Sequence, residues 1–301
     1  MNTKQFQYVL ALAREGSFSK AAEALNITQP SLSQYIKKIE KEIGLDLFDR
    51  TNGEVHLTDA GRVFMEAGRK VIDIEHQMEN SFTDLAANKT GSLIIGAAPY
   101  RAAGMMPQIA RAFQLIHPGM VLTVREGTTA ELLEGMEHGE YDFALTLLPV
   151  DTRMFRYEKV AEEDIVLAVP GGAPPFESVP LSGRRFPAVE PEVLNGQKLV
   201  MLTDAQYMRR QQDNLVLDYK LDVSPAAVVK SLEAQIEMVK AGVGMAVMPG
   251  GIGRFCKPGE VVLYSFVPPL PKREVAVVWR SDRKLSKAAE ELKEVIRSVQ
   301  W

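Results

Sequence analysis

The first fifty residues carry apolar and polar positions in the pattern of three short amphipathic helices. Apolar residues at helical spacing predict a first helix over residues 3–14. Ser17 can cap a second helix, and Thr28 can cap a third. Pro30 stands in the first turn of the third helix, where a missing N–H group has no consequence, and Gly44 closes that helix.

A small hairpin is predicted directly after these helices. Residues 45–48 have the character of a buried strand edge, Asn52-Gly53 is a strong hairpin turn, and residues 55–57 alternate as a return strand. Three helices followed by a hairpin predict a winged helix-turn-helix.

A long helix is predicted from Thr58 to about Asn88. Its apolar positions recur at alternating steps of three and four, which is a weak heptad seam. The seam comprises Phe64, Ala67, Val71, Ile74, Met78, Ser81 and Leu85. Two interpretations stay open: a helix that pairs with a second copy of the chain, or an amphipathic helix that lies on its own domain. The hinge-like segment NKTGS that follows favours the first.

From Gly91 onward, apolar strand segments alternate with helical segments. The strands are SLIIGAA, VLTVREG, YDFALTLL, IVLAVP, KLVML, GMAVMP and EVAVVW, and the helices span 106–117, 129–138, 231–242 and 286–299. This rhythm predicts a mainly parallel sheet with helices on both faces. Residues 170–194 are rich in Gly and Pro and are predicted to form a loop.

The predicted fold class is therefore α+β and multidomain. We expect a DNA-binding domain at 1–58, a linker and dimerisation helix with a hinge at 59–90, and an α/β domain at 91–301. About 210 residues suit two lobes better than one open sheet. Lobe I is predicted to comprise 91–161 and 269–301, and lobe II to comprise 162–268.

Composition narrows the function classes. The 301 residues carry a net charge of −4, which argues against a protein that coats nucleic acid. A local basic cluster at Lys37, Lys38 and Lys41 still permits a sequence reader. One cysteine excludes an intrachain disulfide, and no signal peptide or apolar stretch of ~18–20 residues is apparent, so we expect a cytoplasmic protein with no membrane partner.

A long motif carries a family resemblance. The stretch FSKAAEALNITQPSLSQYIKKIE, followed by VHLTDAG and later by EMVKAGVGMAVMP, resembles the LysR-type transcriptional regulators. The resemblance implies binding to double-stranded DNA, a homodimer formed through the linker helix, and tetramers on DNA, with RNA polymerase as a candidate partner. It also implies an α/β domain similar to solute-binding proteins, with a small-molecule effector between its lobes.

The start of the third helix is the predicted DNA-reading surface, since a recognition helix presents its first residues to base edges. Gln29, Ser33 and Gln34 can contact bases, and Pro30 can contact a thymine methyl group. The predicted phosphate contacts are Thr28, Ser31, Lys37, Lys38, Arg50 and Asn52. The competing interpretation is a solvated helix surface. Family members often carry Arg in place of Gln34 and a basic residue in place of Gly53-Glu54, so we expect weaker non-specific binding than in a typical relative.

The effector site is predicted at the carboxyl ends of the strands, near helix N-termini. The residues at these positions are Pro99, Tyr100, Arg101, Thr128, Thr129, Leu147, Leu148, Thr203, Asp204, Tyr207, Met248 and Pro249. The resemblance implies that the hydroxyls of Thr128 and Thr203 hold an organic anion, and Arg101 can pair with a carboxylate. The alternatives are that both threonines are helix caps and that Arg101 is a surface or interface residue.

No sequence motif indicates catalysis or metal binding. The four histidines are scattered, and the chain has no nucleophile elbow, phosphate loop or dinucleotide fingerprint. We therefore predict no catalytic residues, no metal ligands and no cofactor. Tyr207 stands where peroxide-sensing family members have a reactive cysteine, so thiol sensing is not expected. The alternative functions are a solute-binding protein with a helical interaction module and an α/β enzyme.

Overall fold

The computed structural model describes residues 2–50, 55–85, 90–180, 182–204 and 206–299. Its N-terminal part contains four helices and one short hairpin. These elements are α1 (Thr3–Glu15), α2 (Phe18–Ala24), α3 (Gln29–Ile43), β1 (Phe48–Asp49), β2 (His56–Leu57) and α4 (Asp59–Leu85). β1 and β2 pair antiparallel, with Phe48 opposite Leu57. This is a winged helix-turn-helix followed by a long helix, as predicted.

The helix ends follow their capping residues. Thr28 adopts an extended backbone and its hydroxyl accepts from the N–H of Ser31, while Gly44 closes α3 at a φ of 78°. Ser17 stands at the cap position of α2, but its side chain makes no capping hydrogen bond, so that part of the prediction was wrong. The predicted hairpin turn at Asn52-Gly53 lies outside the described residues.

The first half of α4 packs closely on the winged domain. A Cβ at Gly61 would lie 2.1 Å from the carbonyl oxygen of Leu47, and one at Gly68 would lie 2.4 Å from the Phe6 ring. Phe64 is buried, with its ring centroid 4.9 Å from that of Phe6. Phe64 therefore belongs to the core of the winged domain and not to the heptad seam in which the sequence pattern placed it.

Lobe I is built on a five-stranded sheet in the order β4-β3-β5-β13-β6. Its elements are β3 (Thr90–Ala97), α5 (Pro99–Ile116), β4 (Gly119–Glu126), α6 (Thr129–Glu137), β5 (Phe143–Leu147), β6 (Phe155–Glu163), β13 (Arg273–Arg280) and α9 (Lys287–Ser298). The main core lies between this sheet and α5 and α9, and a smaller core lies on the α6 side. α5 begins seven residues earlier than predicted, because Pro99 sets its first turn.

Lobe II is built on two sheets with the orders β11-β7-β12-β8 and β10-β9. Its elements are β7 (Ile165–Pro170), β8 (Ala188–Val189), β9 (Gln197–Leu202), α7 (Tyr207–Asp218), β10 (Val223–Val229), α8 (Leu232–Lys240), β11 (Ala246–Pro249) and β12 (Val261–Phe266). A parallel bridge between Leu199 and Met245 brings the two sheets together.

Both lobes have mixed sheets, which corrects the prediction of a mainly parallel one. β13 is antiparallel to β5 and β6, and β7 is antiparallel to β11 and β12. β6, β10, β12 and α7 were not predicted. In β6 only Phe155 is buried and the other residues are exposed or half-buried, and α7 is rich in charge, so neither has a strong apolar pattern. The predicted 170–194 loop also contains β8 and a short 3₁₀ helix at Pro191–Leu194.

The chain passes between the lobes twice. β6 ends at Glu163 and β7 begins at Ile165, and the return passage joins β12 to β13 through residues 267–272. β6 runs through Ala161, the predicted first crossover. The domain boundaries stay a prediction. Within the described ranges, no helix combines the length and apolar character that a membrane crossing needs.

Candidate DNA-binding and effector sites

The start of α3 forms an exposed polar surface. Gln29, Ser31 and Gln34 are exposed, and Ser33 is half-buried. The first turn of α3 contains no acidic residue, so the partial positive charge of its N-terminus is not offset there. The surface therefore combines hydrogen-bonding side chains with a favourable field for an anionic backbone.

At the start of α3, the side-chain hydroxyls of Thr28 and Ser31 are hydrogen-bonded to each other. Thr28 Oγ1 lies 2.8 Å from Ser31 Oγ and accepts from the Ser31 N–H group at 3.4 Å. Lys37 and Lys38 are exposed about two turns further along α3. The face that carries Leu32 and Ile36 is buried in the domain core, so the opposite face is the one that a duplex can approach.

Arg50 has a partner inside the domain. Its Nη2 atom donates to Glu40 Oε2 at 2.8 Å, and its guanidinium lies 5.2 Å from the Phe18 ring centroid. The buried Glu40 also accepts from the N–H groups of Leu47 and Phe48. Arg50 therefore helps to hold the base of the hairpin, a contact that the sequence pattern did not reveal. Asn52 lies outside the described residues.

A cavity of about 330 Å³ lies where lobe I meets α7 of lobe II. Three predicted effector residues line it: Leu147, Leu148 and Tyr207. Arg273, the first residue of β13, and Lys272, which precedes it, also line the cavity and were not predicted. Their position at the cavity can be predicted only when the return of β13 to lobe I is known.

Beside this cavity, two arginines share one carboxylate. Arg101 Nη2 donates to Glu163 Oε2 at 3.0 Å, and Arg273 Nη2 lies 3.5 Å from the same oxygen. Tyr100 donates from its hydroxyl to Glu163 Oε1 at 3.1 Å. The Arg273 guanidinium lies 5.4 Å from the ring centroid of Tyr207. We call Arg101, Glu163 and Arg273 the cleft cluster.

The cleft cluster is buried and carries unequal charge. Arg101 is 3% exposed and Arg273 is 5% exposed. Burial works to raise the pKa of Glu163, but Arg101 and Arg273 outweigh it and hold that pKa below its ordinary value. Burial lowers the pKa of Arg273. Arg101 Nε and Arg273 Nε and Nη1 are buried and have no hydrogen-bond partner among the described residues, so the cluster has donor capacity that this part of the chain does not use.

Two comparisons with protein families decide the identity. Residues 3–62 match the bacterial regulatory helix-turn-helix protein of the lysR family. Residues 86–301 match the LysR substrate binding domain, and that match alone covers more than half of the chain. This chain belongs to the LysR family. It is a LysR-type transcriptional regulator with a DNA-binding domain and an effector-binding domain, which excludes the two alternative functions considered above.

Curated relatives match over nearly the full length. The DNA-binding transcriptional dual regulator OxyR of Escherichia coli K12 is 28% identical over 299 residues, which cover 99% of this chain and 95% of OxyR. The uncharacterized HTH-type transcriptional regulator YcgK of Bacillus subtilis 168 is 28% identical over 307 residues, covering 99% and 94%.

Solved structures of LysR regulators share the fold. Full-length OxyR from Pseudomonas aeruginosa superposes with a TM-score of 0.66 at 26% identity, covering 99% of this chain and 95% of OxyR. The LysR-family regulator CbnR in complex with its target DNA gives 0.66 at 20% identity, covering 99% of both chains. The CbnR likeness shows the fold alone.

The remaining predicted effector residues have varied surroundings in this LysR regulator. Thr128 caps α6: its hydroxyl accepts from the N–H of Glu131, whose carboxylate accepts from the N–H of Thr128. Thr203 is exposed and accepts from Gln206. The other positions divide by exposure: Pro99 and Asp204 are exposed, Thr129 is half-buried, and Tyr100, Met248 and Pro249 are buried. The cap role of Thr128 is the alternative that the sequence left open.

Cys256 has an environment that disfavours thiolate chemistry. It is half-buried, and its thiol lies 3.7 Å from the carbonyl oxygen of Ile252. Burial raises the pKa of the thiol above its ordinary value, so the reactive thiolate is scarce at neutral pH.

Proposed function

We propose that this LysR regulator reads a specific DNA sequence with the start of α3 and responds to a small organic anion bound beside the cleft cluster. One observation carries the effector part: two buried arginines face a single carboxylate next to a cavity of about 330 Å³. The DNA part is supported by the exposed polar helix start.

In the DNA complex that we propose, Gln29, Ser33 and Gln34 contact base edges. Lys37 and Lys38 contact phosphates, together with the hydroxyls of Thr28 and Ser31 and the free edge of Arg50. Gln29 and Gln34 are exposed, and no acidic side chain stands in the first turn to repel phosphates.

Alanine at both Gln29 and Ser33 tests the base contacts. We expect at least a tenfold loss of affinity for DNA from upstream of the protein's own gene, since a bidentate base contact contributes about 1–3 kcal/mol. Fluorescence anisotropy against scrambled DNA measures this. Gln108→Ala, an exposed amide on α5, is the matched control. Unchanged specific affinity in the Gln29/Ser33 variant would refute the base-contact assignment.

The proposed effector carries its anionic group toward Arg273. An anion interacts more strongly with a buried cluster of excess positive charge than with water, provided that it accepts hydrogen bonds from the guanidinium N–H groups of the cluster. The apolar cavity residues Leu147, Leu148 and Pro149 suit the body of the ligand, and Tyr207 can stack on it. The chain has one cysteine, which is half-buried and has a raised thiol pKa. This favours regulation by a bound anion over regulation through a reactive thiol.

Thermal shift of the full chain tests the effector. Acetate, benzoate and succinate serve as probes, since binding to the folded state raises the melting temperature by mass action. We expect at least one carboxylate to stabilise the wild type and to lose this effect in Arg273→Met. Arg111→Gln, an exposed arginine of α5, should keep it. Equal stabilisation of wild type and Arg273→Met would exclude Arg273 as the anchor.

The exposed face of α4 supports a homodimer. Ala67, Val71, Ile74 and Met78 keep the heptad spacing, and Ile74 and Met78 are 64% and 51% exposed. The seam positions Ser81 and Leu85 carry side chains outside the described set. We propose that two copies pair along this face, that dimers associate into tetramers on DNA, and that half-sites lie about 34 Å apart. RNA polymerase is the proposed partner at the promoter.

Ile74→Glu tests the dimer face. We expect the variant to sediment as a monomer at concentrations where the wild type is a dimer, because a charge at a seam position opposes helix pairing. Lys70→Glu, an exposed position of α4 outside the seam, is the control. A dimeric Ile74→Glu variant would place the interface elsewhere.

A further inference from the structure

A second charged cluster joins α4 to lobe I at the far end of β13 from Arg273. Asp73 of α4 is 4% exposed, and its Oδ2 atom accepts from Arg280 Nη1 at 2.8 Å. Arg283 Nη1 lies 3.7 Å from Asp73 Oδ1, and Arg283 Nη2 lies 3.4 Å from Asp142 Oδ1. Asp142 in turn accepts from the N–H of Ile94 in the sheet. We call Asp73, Asp142, Arg280 and Arg283 the latch cluster.

The backbone of lobe I is shaped to receive Asp73. Gly139 has a φ of +72°, and a Cβ at this position would lie 2.3 Å from Asp73 Cγ. One turn earlier on α4, Arg69 Nη1 donates to His138 Nδ1 at 2.6 Å and lies 3.9 Å from Glu134. Two successive turns of α4 therefore contact the segment that follows α6.

α4 is also bound firmly to the winged domain. Gly61 and Gly68 allow its backbone to approach Leu47 and Phe6 so closely that any side chain at either glycine would collide. α4 thus has close contacts on one side with the DNA-binding domain and on another with lobe I. Lobe II meets lobe I through Tyr207 against Arg273 and through Tyr100 against the backbone of Gly251.

We propose that Asp73 fastens α4 to lobe I, so that the winged domain, the first five turns of α4 and lobe I move as one rigid unit. Lobe II is then the part whose position changes relative to the DNA-binding domain when the cleft is occupied. This second step rests on the effector site proposed above, whereas the latch itself does not. A buried carboxylate held by two guanidiniums resists separation, because breaking a buried ion pair leaves an uncompensated charge.

Hydrogen exchange of the full-length protein, without DNA or effector, tests the latch. The variants are Asp73→Asn and Arg280→Gln, with Glu66→Gln as control, because the exposed Glu66 pairs with Lys70 on α4 itself. We expect about tenfold faster amide exchange over residues 66–75 and 139–142 in both latch variants, and wild-type exchange in the control. Wild-type protection of residues 66–75 in both latch variants would overturn the proposal.

Two further measurements separate the latch from general destabilisation. In the double variant Asp73→Asn/Arg280→Gln, exchange should be no faster than in either single variant, since the same contact is already lost. An additive increase would mean that the two residues act separately and would overturn the latch.

Arg273→Met tests which lobe moves with α4. We expect faster exchange in α7, which loses its contact with Arg273, and unchanged exchange over residues 66–75. Equal acceleration in α4 would show that α4 follows lobe II and would overturn the rigid-unit assignment. A failure of carboxylates to stabilise the wild type would refute the effector proposal and leave these exchange results unaffected.

Discussion

The two ends of β13 carry clusters built from the same chemistry with different charge balance. At the cleft end, Arg101 and Arg273 share the single carboxylate of Glu163. At the latch end, Arg280 and Arg283 face the two buried carboxylates of Asp73 and Asp142, and Arg280 also pairs with the exposed Asp282. The first cluster leaves guanidinium N–H groups without acceptors in the part of the chain that the structure describes, and the second brings two elements of the chain together.

This difference in charge balance distinguishes a cluster that joins two elements of the chain from a cluster that can bind a ligand. A buried charge is stable only when it is paired and hydrogen-bonded, so a balanced cluster is complete in itself. An unbalanced cluster of the same residues is complete only when another anion joins it. Charge balance, and not residue type, therefore distinguishes the two roles in this protein.

The largest effect is expected from Glu163→Gln, which leaves two buried guanidiniums without a counter-ion. We expect a loss of about 3–5 kcal/mol in the free energy of unfolding at neutral pH, measured in urea. The folded pKa of Glu163 lies below its ordinary value of 4.5, so its contribution is present above that pH and is lost as the pH falls through the folded pKa.

The control for this variant is Glu162→Gln on the opposite face of β6, where Glu162 pairs with Lys159 at the surface. It should leave the free energy of unfolding close to the wild-type value, because solvent and salt screen an exposed ion pair. If Glu163→Gln were as mild as Glu162→Gln, the cleft cluster would not depend on its carboxylate.

The next effect is expected from Gly139→Ala at the latch. The variant combines a positive φ with a collision against Asp73, and we expect a loss of about 2–3 kcal/mol. Gly242→Ala is the matched control, because Gly242 has a φ of +76° with open space around it. It should lose about 1–2 kcal/mol from backbone strain alone. Equal losses in the two variants would show that contact with Asp73 contributes nothing.

A smaller effect is expected from Arg273→Met, which leaves Arg101 and Glu163 as a balanced pair. We expect the free energy of unfolding to change by less than about 1 kcal/mol. Arg280→Met at the latch should lose about 2 kcal/mol, since it unbalances a cluster that was complete. Urea unfolding of both variants measures this contrast, and the reverse order would contradict the distinction between the clusters.

The smallest effect is expected from the titration of His138. Burial, and then Arg69 of α4, lower the pKa of His138 below its ordinary value of 6.5, although Glu140, Glu134 and Glu137 oppose the shift. Its contribution is therefore present above pH 6.5 and is lost as the pH falls through the folded pKa.

Lowering the pH from about 8 to about 5.5 should weaken the attachment of α4 only slightly, because His138 is half-exposed and solvent screens its charge. Amide exchange over residues 66–75, corrected for the intrinsic rate, measures this weakening. His138→Gln should abolish the pH dependence, and its persistence in that variant would exclude His138 as the source. The cleft cluster should not respond in this range, because Glu163 titrates below pH 4.5.

The winged helix-turn-helix could be predicted closely because its signals are local. Thr28, Pro30 and Gly44 mark the ends of α3 through contacts that span a single turn. The seam of α4 was predicted less well, since Phe64 fits the heptad but faces the winged domain. Periodicity reports which face of a helix is apolar and does not report which neighbour covers it.

The cleft cluster shows where prediction from the pattern stops. Arg101 was predicted, but Glu163 and Arg273 were not, because β6 and β13 have to pair before those side chains become neighbours of Arg101. Thr128 and Thr203 were predicted from their positions at strand ends. Only the structure shows that Thr128 satisfies its own helix start.

The sequence by itself determined the two ends of α3, its polar start and the single thiol, since these depend on residue identity and on contacts within a few positions along the chain. Tertiary structure alone decided the charge balance at each end of β13 and the burial of Asp73 and Phe64. Those properties depend on the register between distant strands and on the docking of α4, and in a low-dielectric interior the proximity of charges, and not their number in the sequence, sets the electrostatic energy.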